Sequence, residues 1–216
     1  MNHFIYEINR KKQNGKRKTG RAAALILGAA LLLGGCATPS SLQEKEPLEN
    51  VPELTVGSSL HLTDIDQSYT LTADNSTLAA DGLYYVSWGI GACEPYENSD
   101  GETVDLYDAN LYLLLGESKS PDSAAANTAK WRAAADGNYD IVSEEELTCS
   151  GQTYTLLSYN CAADSPYARG VSAFATHDAA SVCVEVTCRE DFDGDIREIL
   201  TEVLGNCEYL ANESQK

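Results

Sequence analysis

Apolar and polar residues alternate along much of the chain after residue 57, a pattern typical of β-strands with one buried face. Three such segments lie in the first half of this region: SYTLTA at 68–73, LYYVSWGIG at 83–91 and TVDLYDANLYLLLG at 103–116. In the second segment, Val86, Trp88 and Ile90 share one apolar face. A polar stretch at 94–102 predicts the loop before the third segment. We expect the second and third segments to form an antiparallel pair.

The next segment has the signals of a helix. Ser120 suits the N-cap, Pro121 the first turn and Asp122 the positive end of the helix dipole. Gly137 is expected to end the helix. Four residues share its buried face at helical spacing: Ala124, Thr128, Trp131 and Ala135. Because alanine is small, this helix can lie close to a sheet.

Four further strands and a closing helix complete the pattern. The strands are expected at 139–149, 152–161, 170–177 and 181–188, with hairpin turns at 150–151 and 178–179. The helix is expected to begin after a cap at Asp193 or Asp195 and to end at Gly205. Its apolar stripe consists of Ile196, Ile199, Leu200, Val203 and Leu204.

This order of elements predicts one α+β domain at 57–210, in which an antiparallel sheet of about six strands packs against two or three helices. Residues 211–216 are expected to form a disordered tail. The order also resembles the PsbP-like fold, through the penultimate hairpin GVSAFATHDAASVCVEVTC and the closing helix DIREILTEVLGNCEYL. The resemblance rests on order and not on a motif. It implies a domain that binds or assembles other components, and it transfers no active site.

The N-terminal segment, residues 1–35, is predicted to be an export signal. Its apolar run, Ala22 to Gly35, contains only Ala, Leu, Ile and Gly and is too short for the roughly 20 residues that a membrane-spanning helix needs. The positive-inside rule then directs everything after Cys36 across the membrane. Seven basic residues precede the run: Arg10, Lys11, Lys12, Lys16, Arg17, Lys18 and Arg21.

The sequence Leu33-Gly34-Gly35-Cys36 resembles the lipobox of bacterial lipoproteins. The resemblance implies that a diacylglyceryl group is attached to the Cys36 thiol and that the mature chain begins at this residue. Two acyl chains give stable anchoring where one does not. The expected location is the outer face of the cytoplasmic membrane, or an outer membrane if the host has one, and the lipid is the only covalent group expected. An uncleaved anchor, or an ordinary signal with a chance cysteine, is the alternative.

Residues 36–56 are rich in Pro, Ser and Glu and are expected to form a flexible tether behind the lipid. After Cys36 the chain has 8 Lys and Arg against 32 Asp and Glu, a net charge of −24. This charge excludes nucleic acid as a partner and mainly favours solubility. The expected partners are the membrane, through the lipid, and another envelope protein or a cell-wall component. Binding of a cationic ligand is the alternative.

Six cysteines remain in the exported region, an even number that predicts up to three disulfides. Cys183 and Cys188 are five residues apart on one strand, so their side chains face opposite sides and cannot bond. A Cys149–Cys161 pair is also disfavoured, because the two residues lie at opposite ends of a hairpin. No C-x-x-C or histidine cluster supports a zinc or redox site. The six residues are Cys93, Cys149, Cys161, Cys183, Cys188 and Cys207.

Asp191, Asp193 and Asp195 alternate as in a calcium loop, and Glu202 occupies the position of its bidentate ligand. The sixth position of such a loop requires glycine, but here it is Ile196. We therefore favour an acidic helix start over a metal site.

No catalytic motif is recognisable, and no catalytic residue is predicted. His177, beside Asp178, and the acidic run at 143–146 are interpreted as surface features. Several aromatic residues could stack on sugars but are expected to pack in the core: Tyr84, Tyr85, Trp88, Tyr107 and Tyr112. Two functions remain open: a noncatalytic lipoprotein that binds or assembles an envelope component, and a lipid-anchored hydrolase with dispersed catalytic residues.

Overall fold

The computed structural model of the chain describes residues 48–77, 81–98 and 101–210. The predicted signal at 1–35, Cys36 and the predicted tail at 211–216 lie outside these ranges. Within them, no helix is both long and apolar enough to span a bilayer.

A seven-stranded antiparallel sheet forms the centre of the domain, in the order β3-β4-β5-β9-β8-β7-β6. The β4–β5 pair forms as expected. The strands are β3 (Thr70–Asn75), β4 (Leu83–Glu97), β5 (Thr103–Glu117), β6 (Asp140–Cys149), β7 (Gln152–Asn160), β8 (Arg169–His177) and β9 (Ala180–Cys188).

A second sheet of three short strands has the order β1-β2-β10. The expected count of about six strands is therefore too low. Strand β1 (Leu54–Val56) lies in the segment predicted as tether, so ordered structure begins before the predicted boundary at Gly57. Strand β2 (Leu60–Leu62) pairs with both neighbours, and β10 (Cys207–Tyr209) follows the last helix. The antiparallel α+β class is confirmed.

The two described helices cover opposite faces of the large sheet. Helix α1 (Pro121–Asn138) buries Trp131 and Ala135 against one face. Helix α2 (Ile196–Gly205) and the small sheet bury the other face, where Leu200 and Leu204 join the larger core. Each core takes alternate residues of the central strands, as the period-two pattern requires.

Both predicted helix caps are present. Ser120 Oγ accepts a hydrogen bond from Ser123 N at 3.3 Å. Asp195, the second of the two predicted candidates, accepts hydrogen bonds from Arg197 N and Glu198 N at 2.8 and 3.2 Å. Helix α1 ends one residue after Gly137.

The hairpin turns have the expected backbone conformations, with positive φ angles at Ser150, Gly151 and Asp178. The polar loop expected at 94–102 is shorter than predicted, because β4 continues to Glu97, which pairs with Thr103. The β6–β7 and β8–β9 hairpins place the carboxyl ends of β6 and β8 at the same end of the sheet.

Candidate functional site

An open cleft of about 440 Å³ lies where this end of the sheet meets the end of α2. The β6–β7 turn forms one wall, β10 forms the opposite wall, and His177 stands between them at the end of β8. The lining residues are Thr63, Ser150, Gly151, Gln152, His177, Gly205, Asn206, Cys207, Glu208 and Tyr209. The volume is within the range typical of small-molecule sites.

Two aromatic side chains of the cleft lining, those of His177 and Tyr209, pack against each other. The rings of His177 and Tyr209 stack with centroids 4.3 Å apart and an angle of 25° between their planes. His177 Nδ1 lies 3.1 Å from Gln152 Oε1, and His177 Nε2 lies 3.7 Å from Asp178 Oδ2. His177 Nδ1 therefore has a hydrogen-bond partner at the start of β7, and Nε2 lies within 4 Å of the Asp178 carboxylate. The His177 side chain remains 37% exposed and accessible from the cleft.

Two further hydrogen bonds join the walls. Ser150 Oγ donates to the carbonyl oxygen of Gly205 at 2.7 Å, and the hydroxyls of Tyr154 and Tyr209 lie 3.0 Å apart. Burial raises the pKa of both phenols, and for Tyr154 the neighbouring Tyr209 raises it further. Both tyrosines therefore remain neutral hydrogen-bonding groups at physiological pH.

Cys207 lies at the base of the cleft and is only 4% exposed. Burial, and then the neighbouring Cys149, raises the pKa of its thiol to about 12. Because the thiolate is the nucleophilic form, Cys207 is not an activated nucleophile at neutral pH. The cleft thus offers two aromatic rings, hydroxyls, amides and the carboxylate of Glu208, a set suited to binding.

A second cavity, of about 20 Å³, lies between α2 and the sheet and has room for about one water. Tyr69 lies at its edge. Burial, and then Asp66 and Glu202, raises the pKa of Tyr69 to about 12. This cavity is too small to hold an organic ligand.

A buried carboxylate lies on the α1 face of the sheet, which the sequence did not reveal. Glu185 is 5% exposed, and Ser172 Oγ donates to its Oε2 at 2.8 Å. Among the described residues, Glu185 Oε1 and Thr187 Oγ1 have no hydrogen-bond partner. The alternation in SVCVEVTC places both residues on one face but does not show whether that face is buried.

All six cysteines of the described residues are free thiols in the structure, and the disulfides stay a prediction. Cys183 and Cys188 belong to different cores on opposite faces, as expected. Cys149 and Cys161 are likewise on opposite faces, and Cys93 is exposed. Cys149 and Cys207 share one core.

Two of the three aspartates of the calcium alternative have other contacts in the structure. Asp191 Oδ1 lies 3.4 Å from Arg189 Nε, while Asp195 caps α2. Across the described ranges, no group of three or more His, Cys, Asp or Glu side chains is arranged to hold a metal ion.

The acidic run at 143–146 lies on edge strand β6 with its side chains alternating between faces, as expected. Glu144 pairs with Arg132 of α1, and Glu145 pairs with Arg197 of α2. Of the aromatic residues considered for sugar stacking, Trp88 and Tyr112 are buried in the two cores.

No protein-family model matches the chain, and no curated protein matches it. Among solved structures, the chain is similar to a Bacteroides thetaiotaomicron protein with 12% identity and a TM-score of 0.36. That match covers 76% of this chain but 50% of the Bacteroides chain, so this chain spans half the length of that protein. It is also similar to the cyanobacterial PsbP protein (CyanoP) of Synechocystis, with 14% identity and a TM-score of 0.35 over 71% of this chain and 94% of that one.

Proposed function

We propose that this chain is a lipid-anchored binding protein of the bacterial cell envelope, and that its cleft binds a neutral, hydroxyl-rich cell-wall saccharide. The observation that carries the proposal is the His177–Tyr209 stack, set among hydroxyl and amide side chains in a cleft of ligand size. Sugars bind through such combinations of ring surfaces and neutral hydrogen-bonding groups. The acidic charge of the exported region disfavours anionic ligands.

The proposed anchor is a diacylglyceryl group on Cys36. Its support is the order of basic block, short apolar run and Leu33-Gly34-Gly35-Cys36. The test is to express the full chain in bacteria with labelled palmitate and to determine the mass of the mature N-terminus. We expect label in the chain and a lipidated Cys36, and neither in the Cys36→Ser variant. An unmodified N-terminus at another residue would contradict the anchor.

The proposed ligand site is tested by titrating N-acetylglucosamine oligosaccharides into isotope-labelled chain and following amide shifts by NMR. We expect shifts confined to the cleft and affinity at least tenfold weaker in His177→Ala. His61→Ala is the matched control, because His61 lies on β2 and outside the cleft lining. Binding that is unchanged in His177→Ala, or the absence of shifts at millimolar saccharide, would contradict this assignment.

The PsbP-like fold is part of the proposal. Its support is the order of elements, in which an antiparallel hairpin β8–β9 precedes the closing helix α2. An experimental structure compared with members of that fold would test it. A different strand order in the large sheet would contradict it.

A further inference from the structure

Cys149 packs against the larger core, which contains Cys207, at the end of the sheet beside the cleft. Cys149 ends β6, directly before the turn that forms one wall of the cleft, and Cys207 begins β10, which forms the other. Cys149 Sγ lies 3.7 Å from the carbonyl oxygen of Thr201 in α2. A β-carbon on Gly205, two residues before Cys207, would lie 3.9 Å from the same sulfur.

The surroundings of the two thiols overlap. Both belong to the larger core, and both act on the same phenol, since Cys207 and Cys149 each raise the pKa of Tyr154 after burial and Tyr209. The two segments are already joined beside the thiols, because the side-chain hydroxyl of Ser150 donates to the Gly205 carbonyl at 2.7 Å. The chain around Cys149 is thus held against the chain around Cys207.

We propose that Cys149 and Cys207 form a disulfide in the exported protein, which links the β6–β7 wall of the cleft to the β10 wall. The two thiols lose two protons and two electrons, and one S–S bond forms. The oxidant is the disulfide of an extracytoplasmic thiol oxidase, which is reduced to two thiols. The bond closes a long loop and fixes the small sheet to the edge of the large one.

The other four cysteines do not offer this arrangement. Cys183 and Cys161 lie with the opposite core, and Cys93 is exposed. Cys188 shares the larger core but lies at the end of β9, next to Arg169 in the strand register and therefore at the far end of the sheet from the β6–β7 and β8–β9 turns. The inference needs an oxidising compartment but does not depend on the proposed saccharide.

The test is a peptide map of mature chain from bacterial membranes, alkylated and digested with trypsin without reduction. Cleavage after Arg132, Arg169 and Arg197 places Cys149 in peptide 133–169 and Cys207 in peptide 198–216. Since the first peptide also contains Cys161, the map is made in the Cys161→Ser variant as well. We expect the two peptides to be linked in both proteins.

Stability provides the second measurement. In oxidised glutathione, Cys149→Ser and Cys207→Ser should each lower Tm on the order of 10 °C, with no further loss in the double variant. The exposed Cys93→Ser should leave Tm unchanged. In reductant, the wild type should lose the higher Tm that the disulfide gives it over both variants.

The outcomes are separable. Alkylated Cys149 and Cys207 in purified chain after equilibration with glutathione, or linkage of either to another cysteine, overturns the pairing. If Cys149 and Cys207 are linked in the purified chain equilibrated with glutathione but are free thiols in the chain taken from cells, the pairing is supported and the proposed export is contradicted.

Discussion

The hydroxyl of Ser59 donates a 2.7 Å hydrogen bond to Oε1 of Glu117, which joins the small sheet to the end of β5. The same oxygen accepts hydrogen bonds from the backbone N and the hydroxyl of Ser58, at 2.6 and 2.8 Å. Tyr84 donates to the second carboxylate oxygen at 3.2 Å. One carboxylate therefore holds the turn between β1 and β2 against the large sheet.

Glu117→Gln should destabilise the protein at neutral pH. Burial alone would raise the pKa of Glu117, but the hydrogen bonds from Ser59 and Ser58 outweigh it and the pKa is lowered. Because the pKa is lowered in the folded state, the ionised Glu117 stabilises the fold at pH values above the ordinary glutamate pKa. This stabilisation is lost as the pH falls through the lowered pKa.

We therefore expect Glu117→Gln to lose roughly 2 kcal/mol of unfolding free energy at pH 7, and the difference from wild type to shrink below about pH 4. Urea unfolding at a series of pH values measures this. The exposed Glu190→Gln is the control and should follow wild type throughout. A constant difference between Glu117→Gln and wild type at all pH values would contradict the assignment.

Glu185→Gln should stabilise the protein. Glu185 is buried with one oxygen unpartnered in the described structure, and burial of an uncompensated charge is costly. Glutamine keeps an acceptor for Ser172 Oγ and removes the charge. We expect a gain of about 1 kcal/mol at pH 7 by thermal or urea unfolding. A loss of similar size would show that the carboxylate has a partner that compensates it.

Gly170→Ala should be strongly destabilising, because a β-carbon there would lie 2.5 Å from the ring of Tyr159. Tyr159 is buried and stacked on Tyr139 at 4.0 Å, so it cannot move away cheaply. We expect a loss of about 2 kcal/mol or more. Gly137→Ala is the matched control. It lies in α1 with open space around it, and it should be neutral or more stable by up to about 1 kcal/mol.

Tyr209→Phe separates the two interactions of Tyr209. The ring stack on His177 is retained, while the hydroxyl contact with Tyr154 is lost. Because Tyr154 is buried, its unpaired hydroxyl should cost about 1 to 2 kcal/mol of stability. Saccharide affinity per folded molecule should stay within about threefold of wild type. A full loss of affinity would assign the hydroxyl, and not the ring, to ligand contact.

Most of the large sheet could be predicted because its strands are long and are separated by recognisable turn residues. The hairpins at Ser150 and Asp178 carry local turn signals, and Trp131 and Leu200 fall on helical periods that mark buried faces. The small sheet was missed because three residues are too few to establish a period. Its strands are fixed by neighbours distant in sequence, as in the pairing of Leu62 with Cys207.

For the same reason, only part of the candidate site can be predicted from the sequence. His177 stood out beside a turn, but its partner Tyr209 follows a helix with no local signal. The nearness of Cys149 and Cys207 likewise depends on how α2 lies across the sheet. The sequence excludes a disulfide between two cysteines on opposite faces of one strand. It does not identify which cysteines from different elements lie close enough to pair.

Strand β2 lies between β1 and β10, the first and last strands of the described residues. Leu54 and Cys207 both pair with Leu62, so they are separated by two strand spacings, or about 10 Å. In a chain anchored as proposed, a load from the membrane would therefore reach β1 first and then β2, the neighbour of β10. Because β10 contributes Cys207, Glu208 and Tyr209 to the cleft lining, such a load would act one strand away from the proposed ligand site.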